Sequence, residues 1–167
     1  RLGGVINAVY RGARVIAVDG QPWRAQRALD LGAEVALAPD DSALSTILDL
    51  TQGLGVDKAL DCSGNVGAHR LCIDATRRKG QVAFVGECSD DTPVRISPDM
   101  IRKGLTLVGS WHYNLKDAAA ILRLVEERPS VMDQLISHTF PIDHIQSAFE
   151  LQKTGDCAKV LLHPWEQ

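Results

Sequence analysis

The 167-residue sequence has few aromatic side chains, no excess of positive charge and no long apolar run, and these absences exclude several classes of protein. Eighteen Lys and Arg residues against 21 Asp and Glu give a formal net charge of -3, so no basic surface favours nucleic acid or an anionic membrane. The apolar stretch from Ala13 to Val18, which Arg14 interrupts, is far shorter than the roughly 20 residues of a membrane span. The N-terminus also lacks the pattern of a signal peptide. We therefore expect a cytoplasmic protein with no nucleic-acid or membrane partner.

The cysteines are few and widely spaced. They are Cys62, Cys72, Cys88 and Cys157. Their spacing fits neither paired zinc knuckles nor a compact disulfide framework. We expect each to be a small buried apolar side chain, and we expect no metal site within this chain.

What the sequence does have is a regular alternation of extended and helical apolar patterns. The β-branched run over residues 15–18 is typical of a strand buried on both faces of a parallel sheet. Residues 22–31 follow as a helix that Gly32 ends, and a later helix is predicted over residues 66–78 before a strand over 81–85. Five or six such alternations predict an α/β fold with a doubly wound, mostly parallel, Rossmann-like sheet, in one domain covering residues 1–167.

Asp19, directly after the first predicted strand, is the sharpest binding candidate. In sheets of this kind, ligands lie beyond the carboxyl ends of the strands. A carboxylate there accepts two hydrogen bonds from the adenosine ribose and repels a 2′-phosphate, which favours NAD over NADP. The structural alternative is a surface aspartate that begins a turn before Gly20.

The Gly-rich loop that accompanies such an acid is absent from the sequence. Gly-x-Gly-x-x-Gly belongs between the first strand and the first helix, about 20 residues before the acid, and counting back from Asp19 reaches Arg1. The sheet then also lacks its first, central strand, which leaves two strand edges unpaired. We expect a truncated or proteolysed longer enzyme, a strand donated by another chain, or a rearranged sheet. Without the loop, dinucleotide binding by these residues is expected to be weak or lost.

Several motifs together resemble the cofactor domain of the zinc-type medium-chain dehydrogenase/reductase superfamily, and within it the sorbitol and threonine dehydrogenases. In chain order they are Leu2-Gly3-Gly4-Val5, Gly12-Ala13-Arg14-Val15-Ile16-Ala17-Val18-Asp19, Ala28-Leu29-Asp30-Leu31-Gly32-Ala33, Gly55-Val56-Asp57, Asp61-Cys62-Ser63-Gly64 and Gly155-Asp156-Cys157-Ala158-Lys159-Val160-Leu161-Leu162. The resemblance implies the NAD(H)-binding portion of a zinc-dependent alcohol or polyol dehydrogenase, as the C-terminal part of a longer enzyme. Hydride would pass between a secondary alcohol and the nicotinamide.

The resemblance assigns five positions to the adenosine and pyrophosphate side of the cofactor. Asp19 matches the ribose-binding acid, and Arg24 matches a basic residue that reaches the same ribose or its phosphate. Ser63 and Gly64 match the turn that borders the adenine side. Lys159 matches a basic position near the pyrophosphate.

Four further positions match segments beside the nicotinamide. These are Val85 and Gly86, with backbone near Thr106 and Val108, where main-chain groups hold the carboxamide in the family. The edge strand near Leu105 to Trp111 resembles the strand through which family members pair as homodimers. A small alcohol or polyol substrate and the catalytic zinc would be held by a domain that is not in this sequence, so the resemblance implies no catalytic residue and no metal ligand here.

The same residues also fit a second class of protein, a stand-alone nucleotide-binding or dimerisation module without catalysis. Such a module would use the same sheet and the same Asp19. S-adenosylmethionine, whose ribose also binds an acid after the second strand in methyltransferases, is a third possible ligand.

The remaining candidates have structural interpretations. His112 follows a predicted strand and has no evident carboxylate partner, so we expect a solvated loop histidine rather than a general base. His69 is expected on the surface of its helix. Trp111 is expected to be buried at a sheet edge or dimer contact.

Overall fold

The computed structural model describes residues 2–112 and 114–165, and their contacts group into two compact units. The central unit runs from Pro39 to Leu115. The terminal unit combines Leu2–Ala38 with the chain from Lys116 onward. Arg1, which stands where the last glycine of the Gly-rich loop was expected, lies outside the described residues.

Helices and strands alternate along most of the chain. In order they are α1 (Leu2–Tyr10), β1 (Ile16–Val18), α2 (Pro22–Asp30), β2 (Val35–Leu37), α3 (Ala43–Leu50), β3 (Val56–Asp61), α4 (Val66–Ala75), β4 (Thr76–Phe84), a π-helical turn (Ile96–Ile101), β5 (Thr106–Gly109), a 3-10 turn (Leu115–Asp117), α5 (Ala118–Glu127), α6 (Pro129–Asp133), β6 (Ile136–Pro141), a 3-10 turn (Ile142–His144), α7 (Ile145–Thr154) and β7 (Lys159–His163). Every strand pair is parallel, which confirms the predicted α/β class. None of the helices in residues 2–112 and 114–165 is long and apolar enough to cross a membrane.

The central unit contains a three-stranded sheet in the order β3-β4-β5. In its register, Ala59 lies opposite Val82, and Val82 lies opposite Leu107. Val82 and Ile73 of α4 are both 0% exposed, so they form the centre of this unit's apolar packing. Within the described chain β3 pairs only with β4, which leaves its other edge open, as the missing first strand predicts.

The helix expected over residues 66–78 is shorter than predicted, because α4 ends at Ala75 and β4 begins at Thr76. Lys103 donates from Nζ to the carbonyls of Ile73 and Asp74 at 2.8 and 2.9 Å. The Thr76 hydroxyl donates to the Cys72 carbonyl at 2.6 Å. These bonds satisfy carbonyl groups that the end of a helix leaves without partners, so the chain can turn directly into the strand.

The terminal unit contains two two-stranded sheets, β1-β2 and β6-β7. Ile16 pairs with Val35 and Val18 with Leu37 in the first of them. The core of this unit is an apolar cluster: Leu2, Ile6, Ala28, Leu31, Ala33 and Leu124. Gly155 ends α7 with a φ of 78°, a left-handed conformation that glycine adopts without steric cost.

The cysteines match the expectation of burial only in part. Cys157 is buried, whereas Cys62, Cys72 and Cys88 are half-buried, and all four are free thiols. Burial raises the pKa of the Cys72 thiol to about 12, so this group stays protonated and unreactive near neutral pH.

Candidate functional site

Asp61, the last residue of β3, organises the turn that follows this strand. Its buried carboxylate accepts hydrogen bonds from the Ser63 amide at 3.0 Å, the Ser63 hydroxyl at 2.7 Å and the Gly64 amide at 3.1 Å. Burial alone raises the pKa of this carboxyl, but the bonds from Ser63 and Gly64, with the charge of His69, outweigh burial and lower the pKa. Asp61 therefore acts as a charged acceptor that fixes the conformation of the turn.

The turn after β3 and the turn after β4 touch at two glycines. The Asp61 carbonyl accepts hydrogen bonds from the amides of Val85 and Gly86 at 2.9 and 3.3 Å. Gly64 has a φ of +69°, and a Cβ there would overlap the carbonyl oxygen of Glu87. A Cβ on Gly86 would overlap the Gly64 nitrogen and lie 2.8 Å from Asp61 Oδ2. Only glycine permits this approach of the two backbones, so the structure brings both predicted cofactor turns of this unit together.

His69 is buried, at 7% exposure, so the expectation that it lies on the surface was wrong. Asn65 caps α4 by accepting from the first amides of the helix, and this start places His69 one turn along, facing Asp61 and Phe84. The ring Nε2 lies 3.2 Å from Asp61 Oδ2 without the alignment of a hydrogen bond. Nδ1 lies 2.6 Å from the Thr92 hydroxyl, and the ring meets Phe84 edge-on with centroids 5.1 Å apart.

Asp61 and His69 are functional candidates that sequence reasoning missed. The motif Asp61-Cys62-Ser63-Gly64 carried a signal for Asp61, since an aspartate side chain commonly bonds backbone amides two residues on. No comparable local signal exists for His69. Its partner Thr92 lies 23 residues away, and only the folded chain joins them.

An open cleft of about 320 Å³ lies beside these residues in the central unit. Its walls are His69, Phe84, Gly86, Cys88, Asp90, Asp91, Thr92 and Val94. The cleft lies beyond the end of β4 at Phe84, where ligands of parallel sheets bind. The position predicted at Gly86 therefore faces space that a ligand can occupy.

Asp19 follows β1 in the terminal unit, as the sequence predicted. It accepts a hydrogen bond from the Gln21 amide at 2.9 Å, and its Oδ2 lies 3.2 Å from Arg24 Nε. The side chains of Asp19 and Arg24 are 24% and 20% exposed, and Arg24 also donates to the Gly155 carbonyl at 3.4 Å. A carboxylate has about four acceptor positions, so Asp19 retains acceptor capacity after these two contacts. The chemistry of this pair fits a ribose diol.

The other predicted positions are exposed. Thr106 and Val108 lie on β5, opposite Gln81 and Ala83. Lys159 begins β7 in the terminal unit, and its backbone amide donates to the Leu135 carbonyl. The central unit thus holds Ser63, Gly64, Val85, Gly86, Thr106 and Val108, and the terminal unit holds Asp19, Arg24 and Lys159.

Trp111 and His112 form an exposed aromatic pair after β5. Their rings meet edge-on with centroids 4.5 Å apart. Trp111 is 71% exposed, so it is not buried within this chain, and its role at a dimer contact stays a prediction. His112 is exposed with a φ of 56°, in agreement with a loop histidine.

The part of the chain that the structure describes brings no three His, Cys, Asp or Glu side chains together in a group that could hold a metal ion. The described residues therefore do not fit a zinc ion.

The parallel α/β units and the paired glycine turns define a cofactor-binding domain of the Rossmann type. Residues 2–127 match the family model described as zinc-binding dehydrogenase. Because the match covers most of the chain, the protein belongs to the zinc-binding dehydrogenase family. The resemblance to the cofactor domain of medium-chain dehydrogenases is confirmed.

Similar proteins agree with this family. The L-threonine 3-dehydrogenase of Caldanaerobacter subterraneus subsp. tengcongensis is 29% identical over 155 residues, which are 91% of this chain and 45% of that protein. The sorbitol dehydrogenase of Halalkalibacterium halodurans is 31% identical over 90% of this chain and 44% of that protein. An alcohol dehydrogenase structure from Thermotoga maritima matches with a TM-score of 0.90 at 26% identity, covering 97% of this chain and 46% of that one. The chain thus spans less than half the length of these proteins.

Proposed function

We propose that the chain is the NAD(H)-binding portion of a zinc-dependent dehydrogenase that transfers hydride between a secondary alcohol or polyol and nicotinamide. Asp19 is the observation that carries this proposal. It lies directly after β1, contacts Arg24 and retains acceptor capacity, as the ribose of a dinucleotide requires. Its negative charge favours NAD over NADP, because a 2′-phosphate would be repelled.

In this proposal, residues of the terminal unit contact the adenosine ribose and the pyrophosphate. Asp19 accepts hydrogen bonds from the ribose hydroxyls while Arg24 holds the carboxylate in place at 3.2 Å. Lys159, exposed at the start of β7, attracts the pyrophosphate charge.

Residues of the central unit would contact the nicotinamide and the adenine. NAD, when bound, supplies the nicotinamide carbon that takes up or releases a hydride. The amides of Val85 and Gly86 already donate to the Asp61 carbonyl, so we assign their carbonyl oxygens to the NH₂ group of the carboxamide, near Thr106 and Val108. Ser63 and Gly64 border the adenine side, in the turn that Asp61 fixes.

In this proposal the complete reaction also needs a second domain, which holds the zinc and the alcohol. We propose that the chain forms one domain at the C-terminal end of a longer, cytoplasmic dehydrogenase. Zinc and the alcohol substrate would bind in its other half. The chain by itself is then inactive, and a zinc-dependent turnover by these residues alone would contradict this division of roles.

We also propose a homodimer that forms through β5. This strand pairs with β4 along one edge only, within the described chain, and an open strand edge presents unpaired backbone groups to another chain. Val108 on β5 is 38% exposed and Trp111 just beyond it is 71% exposed. Large exposed aromatic side chains of this kind are enriched at interfaces.

The proposed cofactor is tested by titrating the chain with NADH, NADPH and S-adenosylmethionine. We expect weak but saturable binding of NADH, weaker binding of NADPH and none of S-adenosylmethionine. Asp19→Ala should weaken NADH binding at least roughly tenfold, since it removes a charged acceptor, and should reduce the preference for NADH over NADPH.

Asp30→Ala is the matched control, because Asp30 is an exposed aspartate of the same unit whose side chain contacts Gln26. This variant should bind NADH like the unmodified chain. Equal NADH affinity in Asp19→Ala would remove Asp19 from the site, and tighter binding of S-adenosylmethionine than of NADH would overturn the proposed cofactor.

A further inference from the structure

We propose that His69 is a positioning residue of the cofactor site. Through its contacts with Asp61 and Thr92, His69 fixes the position of the loop after β4 relative to the turn after β3. This inference rests on the proposed function, because it assigns a role within the same site. His69 contacts two different segments, with Nε2 at 3.2 Å from Asp61 and Nδ1 at 2.6 Å from the Thr92 hydroxyl.

The contacts of His69 link both ends of the loop after β4 to Asp61. The Asp61 carbonyl binds the amide of Gly86, where the loop begins. At Thr92, six residues further along the loop, the side-chain hydroxyl contacts His69 Nδ1. The other ring nitrogen of His69 contacts Asp61. The intervening loop, which forms one wall of the cleft, is thus held at both ends. Holding both ends lowers the entropy that the loop loses when a ligand orders it.

A purely space-filling role does not explain a histidine at this position. Burying a polar ring is unfavourable unless its nitrogens have partners, and an apolar side chain would pack against Phe84 without that cost. The two groups that the His69 nitrogens approach lie in the two segments that border the proposed cofactor: the Thr92 hydroxyl, at hydrogen-bond distance, and the Asp61 carboxylate, 3.2 Å from Nε2 as an ion-pair contact. Asp61 in turn fixes the Ser63 and Gly64 amides.

A second set of hydrogen bonds also connects the loop after β4 to α4. We therefore expect that replacing His69 changes the loop and the turn locally and leaves the rest of the unit folded. Arg70, the next residue of α4, donates to the Pro93 carbonyl at 3.0 Å and also binds Asp99. This attachment stays when His69 is replaced. Among the described residues, His69 adds a contact between Asp61 and the far end of this loop at Thr92, whereas the Asp61 carbonyl bonds the near end at Gly86.

The geometry of the imidazole allows its two contacts to be removed separately. A glutamine amide extends about as far as Nε2 and keeps a group near Asp61, whereas Thr92→Val removes the hydroxyl at the other contact. His69→Leu removes both contacts at similar volume. His138→Leu is the matched control, because His138 is exposed and its ring nitrogen lies 3.0 Å from the hydroxyl of the neighbouring Ser137, away from the cleft-lining residues.

The experiment measures NADH affinity and amide hydrogen exchange in these variants of the full chain. His69→Leu should weaken NADH binding roughly tenfold and Thr92→Val roughly threefold, and the double variant should be no weaker than His69→Leu because both changes break one connection. His69→Gln should recover part of the affinity. Exchange should become faster at Ser63, Gly64 and Gly86 and stay unchanged at Ile73 and Val82, the centre of the unit.

The possible results separate this inference from the proposed function. If the unmodified chain binds NADH and His69→Leu binds it equally well, the positioning role is wrong and the proposed cofactor stands. If exchange rises equally at Val82 and at the turns, His69 only stabilises the fold, and the inference is overturned. If the unmodified chain does not bind NADH, the proposed function fails, and unchanged exchange at the turns in His69→Leu would then reject the inference as well.

Discussion

The central and terminal units have interiors of different chemistry, although both are built from parallel strands and helices. Among the described residues, the buried polar side chains Asp61, His69, Thr76 and Asp99 all lie in the central unit. The core cluster of the terminal unit is entirely apolar: Leu2, Ile6, Ala28, Leu31, Ala33 and Leu124. Hydrogen bonds are directional and apolar contacts are not, so the central unit can fix the exact course of its loops. The same buried charges make it sensitive to single substitutions and to acid.

Asp99 illustrates how the central unit holds a charge. It accepts hydrogen bonds from Arg70 at 2.8 Å and from the backbone and side chain of Arg95 at 2.8 and 3.0 Å. The hydrogen bond from the Arg70 guanidinium outweighs burial and holds the pKa of Asp99 well below its usual range. This carboxylate therefore ties the π-helical turn Ile96–Ile101 to α4.

The largest effect is predicted for Asp99→Asn. An uncharged amide removes the buried counter-charge that Arg70 and Arg95 share, and Arg70 retains the half-buried Asp74 as its carboxylate partner. Removing one partner of a buried ion pair costs about 3 to 5 kcal/mol. Urea denaturation of Asp99→Asn and of the unmodified chain measures the difference in unfolding free energy.

The ion pair between Arg14 and Glu34 in the terminal unit provides the control. Its atoms lie 2.7 Å apart, but its side chains are 73% and 47% exposed. Solvent screens such pairs, so Glu34→Gln should leave the unfolding midpoint unchanged. Similar losses in the two variants would mean that burial of charge does not distinguish the units.

A smaller loss is predicted for Leu124→Ala in the terminal unit. Leu124 on α5 is 4% exposed and belongs to the apolar cluster. Removing its side chain leaves a cavity and should cost about 2 to 3 kcal/mol in urea denaturation. Leu122, on the same helix, is 60% exposed, so Leu122→Ala should change stability by less than about 0.5 kcal/mol. Equal effects at the two positions would show that the cluster does not stabilise the unit.

The sequence predicts those features that depend on interactions between neighbouring residues, and it misses those that depend on residues far apart in the chain. The strand before Asp19 and the end of α2 just before Gly32 depend on neighbouring residues, and both lie where the sequence pattern predicts them to within a residue or two. The end of α4 depends on Lys103, 28 residues beyond Ala75, so periodicity alone placed it three residues too late. His69 lies on a helix whose pattern gives no reason for burial.

The same distinction applies to the candidate site, where the sequence predicts positions and the contacts between distant segments explain them. Sequence motifs and family resemblance located Gly64 and Gly86, but neither could give the physical reason for glycine there. That reason is the contact between two turns that lie 22 residues apart in the chain. The Asp61 carboxylate fixes one of these turns. Asp61 begins the motif Asp61-Cys62-Ser63-Gly64, but the sequence analysis predicts no role for its side chain.

The smallest predicted effect is a loss of stability of the central unit in acid. The pKa values of Asp61 and Asp99 are lower in the folded chain than the ordinary value for aspartate, so the unfolded chain binds these protons first as pH falls. Their stabilisation is complete above the ordinary pKa of about 3.9 and is lost as pH falls toward the folded values, by on the order of 1 kcal/mol between pH 5 and pH 3. Hydrogen exchange should therefore accelerate in acid, beyond the intrinsic pH effect, at Val82 more than at Ile6 of the terminal core. Acceleration that is equal at both residues would mean that the two units unfold together, and that the buried carboxylates do not set the acid limit of the central unit alone.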